Sequence, residues 1–338
     1  MRITFLVDNL PHPTLPLLTE HGLSLYIETD DLTNRLIGES TNRKIGILCD
    51  MGASGAYIKN AKALGIDLNT CHWAFLSHAH ADHTGGLGKW VAQYGHIPVY
   101  ASHYIPTLQC FSSRPKQAAS QCTESPNHRI TESPRYIGPD LNLFKGATPW
   151  FKPIEQNTWL TPHIALVHPS CNLYLKPLGN KYLTVVTSLM HISEESTKRL
   201  NDSTTKQQNT NSPHHRITAS PERSEIDPFL HEIALAFVTE KGLVVVSSCS
   251  HKGALNTIQS CMEFTGCNTL HAYIGGLHFV DSEEVKKETT DFINEWLRLY
   301  PNAQLYTGHC TCAQAASLLQ QHIPLCEIFH TGYQVDIT

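Results

Sequence analysis

Short apolar runs separated by polar turns organise the first hundred residues and return over the last hundred. Met1–Asp8, Leu23–Asp30 and Lys44–Asp50 each have strand length and are bounded by polar or turn-forming residues. Gly55–Asp67 switches to helical spacing and ends near Gly65, which suits the left-handed position after a helix. Cys71–His78 reads as a strand, Gly85–Gly95 as a short helix and Ile97–Ser102 as another strand. From about 106 to 153 the pattern dissolves into Ser, Pro and polar residues, and it does so again from about 193 to 228.

Between the two polar zones, His163–Ser170, Asn172–Gly179 and Lys181–Ser188 are strand-like and predict a meander. Beyond the second zone, His231–His251 reads as a hairpin turning at Lys241-Gly242, followed by a helix from Lys252 to about Phe264. A strand at His271–Phe279, a helix at Ser282–Leu299, a strand at Gln304–Cys310, a helix at Cys312–Ile323 and a final strand complete the chain. Runs of strands that give way to strand–helix alternation in both halves predict an α/β architecture, two packed sheets with helices outside. We expect one domain over 1–338, carrying insertions at about 106–153 and 193–228.

The two polar zones share a further feature. Ser125–Arg135 and Ser212–Glu222 agree at 8 of 11 positions. A near-copy inside each zone points to insertion of related segments into a smaller parent fold.

Bulk properties narrow the class. The chain has 338 residues, 41% of them hydrophobic, enough for a substantial core. A net charge of -5 with histidine neutral argues against a nucleic-acid partner. No apolar run reaches bilayer length, and the odd count of 11 cysteines does not form a disulfide framework. The expectation is a cytoplasmic protein in a reducing compartment, with no membrane partner.

The densest chemistry lies in "LSHAHADHTGG", Leu76–Gly86. His78 and His80 are two apart and project the same way from an extended segment. Asp82 and His83 sit at the turn into the next helix and can face a second point a few ångströms away. Imidazole and carboxylate are ligands for divalent ions such as zinc, with manganese or iron as alternatives. Two such subsets suit one or two metals, and a pair would share a water that becomes hydroxide near neutral pH.

"HAHADH" after an apolar strand resembles the signature of the metallo-β-lactamase superfamily, whose fold is an αββα sandwich with metal ligands on loops at one sheet edge. By that resemblance, Asp50 in "LCDMGAS" braces the ligand loop. "EHGLSLYIE", "LGIDL", "HADHTGGL", "GLVVVSSCSHKGALNTI", "IGGLHF" and "TGHCT" follow in order, and together resemble the subgroup that includes the dihydropterin–ribofuranosylaminobenzene phosphate synthases. The matching segments skip both polar zones.

His251 and His309 each emerge just past a strand and complete the expected ligand set of His78, His80, Asp82, His83, His251 and His309. Where the superfamily places a bridging Asp, this chain has Cys249 or Ser250; Cys249 is either a thiolate ligand or a small buried residue. For the superfamily's middle histidine, His191 is the positional candidate and His168 the alternative. By the same resemblance His278 faces the substrate pocket, where it could hold a phosphate or pass a proton, and with Asp82 it is expected to act in catalysis. Glu20 and His21 are candidates for the pocket rim. Gly275-Gly276 should let backbone approach the pocket closely. Cys310 and Cys312 form a Cys-x-Cys pair beside His309, read either as local packing or as a separate site.

Two functional classes remain. One is a metal-dependent enzyme acting on a small anionic, phosphate-bearing substrate, by hydrolysis or by displacement of diphosphate from a pterin. The other is a non-catalytic metal-binding or sensor protein that keeps the fold. The duplicated segments should be dispensable. Deleting Ser212–Glu222 should leave the cooperative thermal transition in place, and loss of that transition would contradict the insertion reading.

Overall fold

The structure, a computed structural model, describes residues 1–30, 44–114, 134–146, 148–187 and 224–337. Eighteen strands are described. In the first half they are β1 (Arg2–Val7), β2 (Ser24–Asp30), β3 (Lys44–Cys49), β4 (Cys71–Leu76), β5 (Val99–Ser102), β6 (Leu108–Ser112), β7 (Arg135–Tyr136), β8 (Phe151–Ile154), β9 (Thr158–Thr161) and β10 (Ile164–Val167). The rest are β11 (Leu183–Thr187), β12 (Glu225–Ile226), β13 (Ala234–Thr239), β14 (Gly242–Val246), β15 (Leu270–Ile274), β16 (Gln304–Thr307), β17 (Cys326–Ile328) and β18 (Gln334–Asp336). One seven-stranded sheet has the order β18-β1-β2-β3-β4-β5-β8, and a second has β17-β16-β15-β14-β13-β10-β9.

Alternation of side chains along the strands builds four layers. Ile45, Ile47 and Cys49 of β3 face the second sheet, meeting a core that holds Val244 and Val246 of β14. The intervening Leu48 faces outward onto helices α1 (Ala56–Ala63) and α3 (Leu87–Tyr94). On the far side, Leu243 and Val245 pack outward against a cluster that includes Ile258, Ile293 and Leu319. These come from α4 (Ala254–Thr265), α5 (Val285–Leu299) and α6 (Ala313–His322). The result is the expected αββα sandwich.

Three expectations change. Asn172–Gly179 forms no strand: Pro177 opens a 3-10 helix over Leu178–Tyr182, and proline cannot donate to a ladder. Lys181–Ser188 does contain a strand, β11, but it does not continue a meander. It pairs with β6 and β12 in a separate four-stranded sheet, β12-β11-β6-β7. The first polar zone is also more structured than its composition implied, because β6 and β8 lie within it and β8 extends the first main sheet beside β5. Of the duplicated segments, only Pro134 and Arg135 fall among the described residues.

Parallel pairing aligns the carboxyl ends of β3, β4 and β5 on one sheet and of β14, β15 and β16 on the other. Loops after such strands converge at one edge, where α/β proteins place their sites. The short helix α2 (Ala81–Thr84) begins there, immediately after β4.

Phe5 is fully buried between the sheets and stacks on Phe329 at 4.1 Å between centroids. Phe5→Ala should destabilise the protein by about 3–5 kcal/mol, measured by denaturant unfolding.

Candidate metal centre

Asp50 follows β3 in a left-handed conformation, φ 56°, and is fully buried. Its Oδ1 accepts the Ser77 backbone N–H at 2.7 Å, and its Oδ2 accepts the Ser77 hydroxyl at 2.7 Å. The same Oδ2 lies 2.8 Å from His83 Nδ1. Ser77 Oγ has one proton, already given to Asp50, so it accepts from His78 Nδ1 at 2.8 Å. One carboxylate thus fixes two rings with Nδ1 protonated and leaves both Nε2 atoms as lone pairs.

Two asparagines repeat this logic with a double clasp. Asn180 donates to the His251 carbonyl at 2.7 Å and accepts from His251 Nδ1 at 3.1 Å. Asn9 donates to the His309 carbonyl at 2.8 Å and accepts from His309 Nδ1 at 3.2 Å. Asp8 Oδ1 adds a bond from the His309 backbone N–H, 3.0 Å. Glu232 receives the backbone N–H groups of His251 and Lys252 at 2.7 and 2.8 Å. His231, bonded to Asp227, accepts the Ala79 N–H at 3.0 Å.

The free atoms converge in two sets. Ligand atoms of His78, His80 and His251 lie within 4.8 Å of one another, and so do those of Asp82, His83 and His309. The Nε2 atoms of His78, His80 and His251 are buried with no hydrogen-bond partner. His83 Nε2 and His309 Nε2 face each other at 3.1 Å. Two lone pairs at that distance repel unless a cation or a proton lies between them. The donor set therefore fits divalent ions, three imidazoles in one position and a carboxylate with two imidazoles in the other. All six sequence-derived ligand candidates are brought together.

Electrostatics follow from this crowding. Burial, with neighbouring histidines, pushes His78 and His251 well below the usual imidazole range. His80 falls to about 3, mainly through burial. Burial opposes ionisation of Asp82, but His83, His309 and His21 outweigh it and hold the carboxyl well below its ordinary value. Burial likewise opposes protonation of His309, yet the bond to Asp82 and nearby negative groups raise it to about 9.

Cys249 is buried, its Sγ 3.2 Å from His83 Nε2, and it groups with His78 and His83, one residue from each set. The place expected for a bridging acid therefore holds this thiol. His278 and Cys310 form a further group with Cys249. Cys312 belongs to none of the groups found among the described residues. Gly276 permits the close approach expected of it: a Cβ there would come within 2.3 Å of Cys310 Sγ.

A cavity of about 910 Å³ opens over the centre, lined among others by His21, Asp82, His251, His278 and His309. His21 reaches its rim, with Nε2 3.4 Å from Asp82 Oδ2. Glu20 does not: its carboxylate is taken up by the backbone N–H groups of Ala53 and Ser54, both at 3.0 Å, and by the Ser54 hydroxyl. His168 joins neither set, and His191 lies outside the described residues. His251, two residues after Cys249, completes the set with His78 and His80. The second-layer residues Asn9, Asn180, His231 and Glu232 were missed from sequence. Only Asp8-Asn9 carried a signal, an acidic residue closing a strand as Asp50 does.

A family model described as the metallo-beta-lactamase superfamily matches residues 38–121, which include the histidine motif. Over that segment the chain is similar to the metallo-β-lactamase superfamily, and its fold is of that type. The chain is 26% identical over 331 residues to 7,8-dihydropterin-6-methyl-4-(beta-D-ribofuranosyl)-aminobenzene-5'-phosphate synthase of Methanocaldococcus jannaschii, covering 93% of this chain and 92% of that protein. The solved structure of a metal-dependent hydrolase of the β-lactamase superfamily shares the fold, with a TM-score of 0.67 and 22% identity over 100% of this chain and 99% of that one.

Asp50→Asn removes one of the acceptors needed by Ser77 and His83. It should weaken metal binding roughly 10- to 100-fold, read by competition with a chelator.

Proposed function

We propose that this chain is a metal-dependent enzyme acting on a small phosphate-bearing, pterin-like substrate, by hydrolysis or by displacement of diphosphate. The observation carrying the reading is the pair of three-ligand sets, with Nδ1 of four of their five imidazoles already bonded, beneath one cavity. Its kinship with a synthase whose name specifies a dihydropterin and a ribofuranosyl phosphate supports the substrate class.

Zinc, manganese or iron in these positions would supply Lewis acidity and a water acidified toward hydroxide. The chain's own groups do the rest. Asp82 is kept ionised and one face of it is open to the cavity, so a carboxylate oxygen can accept the hydrogen bond of an attacking water and aim its lone pair. His278 lines the same cavity with Nε2 3.4 Å from the Arg114 guanidinium, where its ring can accept a proton during turnover. The buried imidazoles resist protonation, which keeps their Nε2 atoms available as ligands in mildly acidic solution. Hydrolysis and diphosphate displacement use the same groups and differ in the nucleophile admitted, water or an arylamine.

Elemental analysis of wild type beside Asp82→Ala and His251→Ala tests the centre. We expect two ions per chain in wild type and one lost in each variant, with turnover in a screen of phosphate esters and pterin diphosphates. A single ion that survives His251→Ala would overturn the ligand assignment and favour a non-catalytic metal protein.

A further inference from the structure

Arg114 is placed in the cavity by contacts that leave its charge unanswered. It follows β6, where its backbone N–H is held by Ser112 Oγ at 3.3 Å and the preceding Ser113 N–H by the Tyr182 carbonyl at 2.9 Å. The guanidinium fits because residue 179 is glycine: a Cβ there would stand 3.2 Å from Arg114 Nη2 and 2.8 Å from Val280. Nη2 approaches His278 Nε2 at 3.4 Å, which leaves the imidazole proton on Nδ1. Arg114 Nε is buried with no hydrogen-bond partner, and among the described residues no carboxylate forms an ion pair with this side chain. Leaving a cationic donor desolvated and unpaired is costly unless a ligand oxygen meets it.

The surroundings point to an anion. Arg135 lines the same cavity and is paired in register with Ser112, so both arginines emerge at the same end of the small sheet. Asp281 also lines this cavity and has partners of its own. The same cavity is also lined by His80, Asp82, His251 and His309. A planar guanidinium matches the oxygens of phosphate or carboxylate, two at a time. We propose that Arg114, assisted by Arg135, is the subsite for a non-reacting phosphate monoester of the substrate, which anchors one end of the molecule while its other end lies over the metal ligands. This rests on the phosphate-bearing reading above and extends it to the residues that recognise the phosphate. Binding a remote phosphate in this way would help to position the reacting bond.

The test is isothermal titration of the zinc-loaded protein with ribose 5-phosphate, ribose and ribonate, using wild type, Arg114→Gln, Arg114→Lys and Arg135→Gln, with zinc content checked in each. Wild type should bind ribose 5-phosphate in preference to both other sugars. Arg114→Gln should weaken that binding roughly 10- to 100-fold at unchanged zinc content. Arg114→Lys should restore part of it, and Arg135→Gln should have the smaller effect. Should Arg114→Gln fail to fold, weakened binding by Arg114→Lys at unchanged zinc content carries the same inference, since lysine lacks the fork. Unchanged affinity in the folded Arg114 variants would overturn the subsite while leaving the phosphate reading intact. Equal binding of ribose and ribose 5-phosphate by wild type would overturn that reading and the subsite with it. Preference for ribonate would overturn the assignment to phosphate.

Discussion

The Asp50 carboxylate is the constraint on which the centre depends. It is buried, carries a left-handed backbone and accepts three hydrogen bonds, two from Ser77 and one from His83. Through Ser77 it also orients His78. One charge therefore sets a ring in each ligand set and the path of the loop between them. Charge-assisted bonds to a fully buried carboxylate are stronger than ordinary ones and leave little freedom for the loop to rearrange.

The backbone around the centre is held in a conformation that most side chains avoid. Among the described residues, the non-glycine positions with positive φ are Asp50, Phe229, Ser250, His278 and His309. Three belong to the centre or its cavity, Ser250 lies between Cys249 and His251, and the Phe229 ring stacks on that of His251 at 4.2 Å. Each costs of order 1–3 kcal/mol and persists because surrounding contacts outweigh it. Ser250 shows how: its hydroxyl contacts Tyr273 and donates to the Gly276 carbonyl at 2.8 Å. The centre is a strained, preorganised region supported by a conventional sandwich.

What the sequence revealed follows from the range of the interactions involved. The strands, most helices and the Leu76–Gly86 motif are local patterns, and His251 and His309 could be found because each ends a readable strand. Asn9, Asn180 and Arg114 could not, since their roles arise from contacts with residues 300, 71 and 164 positions away. The Asn172–Gly179 run has a strand's apolar character, yet leaves Leu173 and Leu175 73% and 85% exposed. Composition also hid the small sheet, because β6 and β11 lie beside polar segments that dominated the reading.

Each ligand set draws on both sheets. His78 and His80 follow a strand of the first sheet and His251 follows one of the second; Asp82 and His83 likewise meet His309 across the seam. Neither half of the chain holds a complete set. An ion held by either set would be coupled by mass action to the docking of one sheet against the other, and would act as a clamp on the sandwich. At a hundredfold excess over its dissociation constant, such a clamp adds about 2.7 kcal/mol per ion to the assembled state. Metal supply would then set part of the stability of the assembled sandwich.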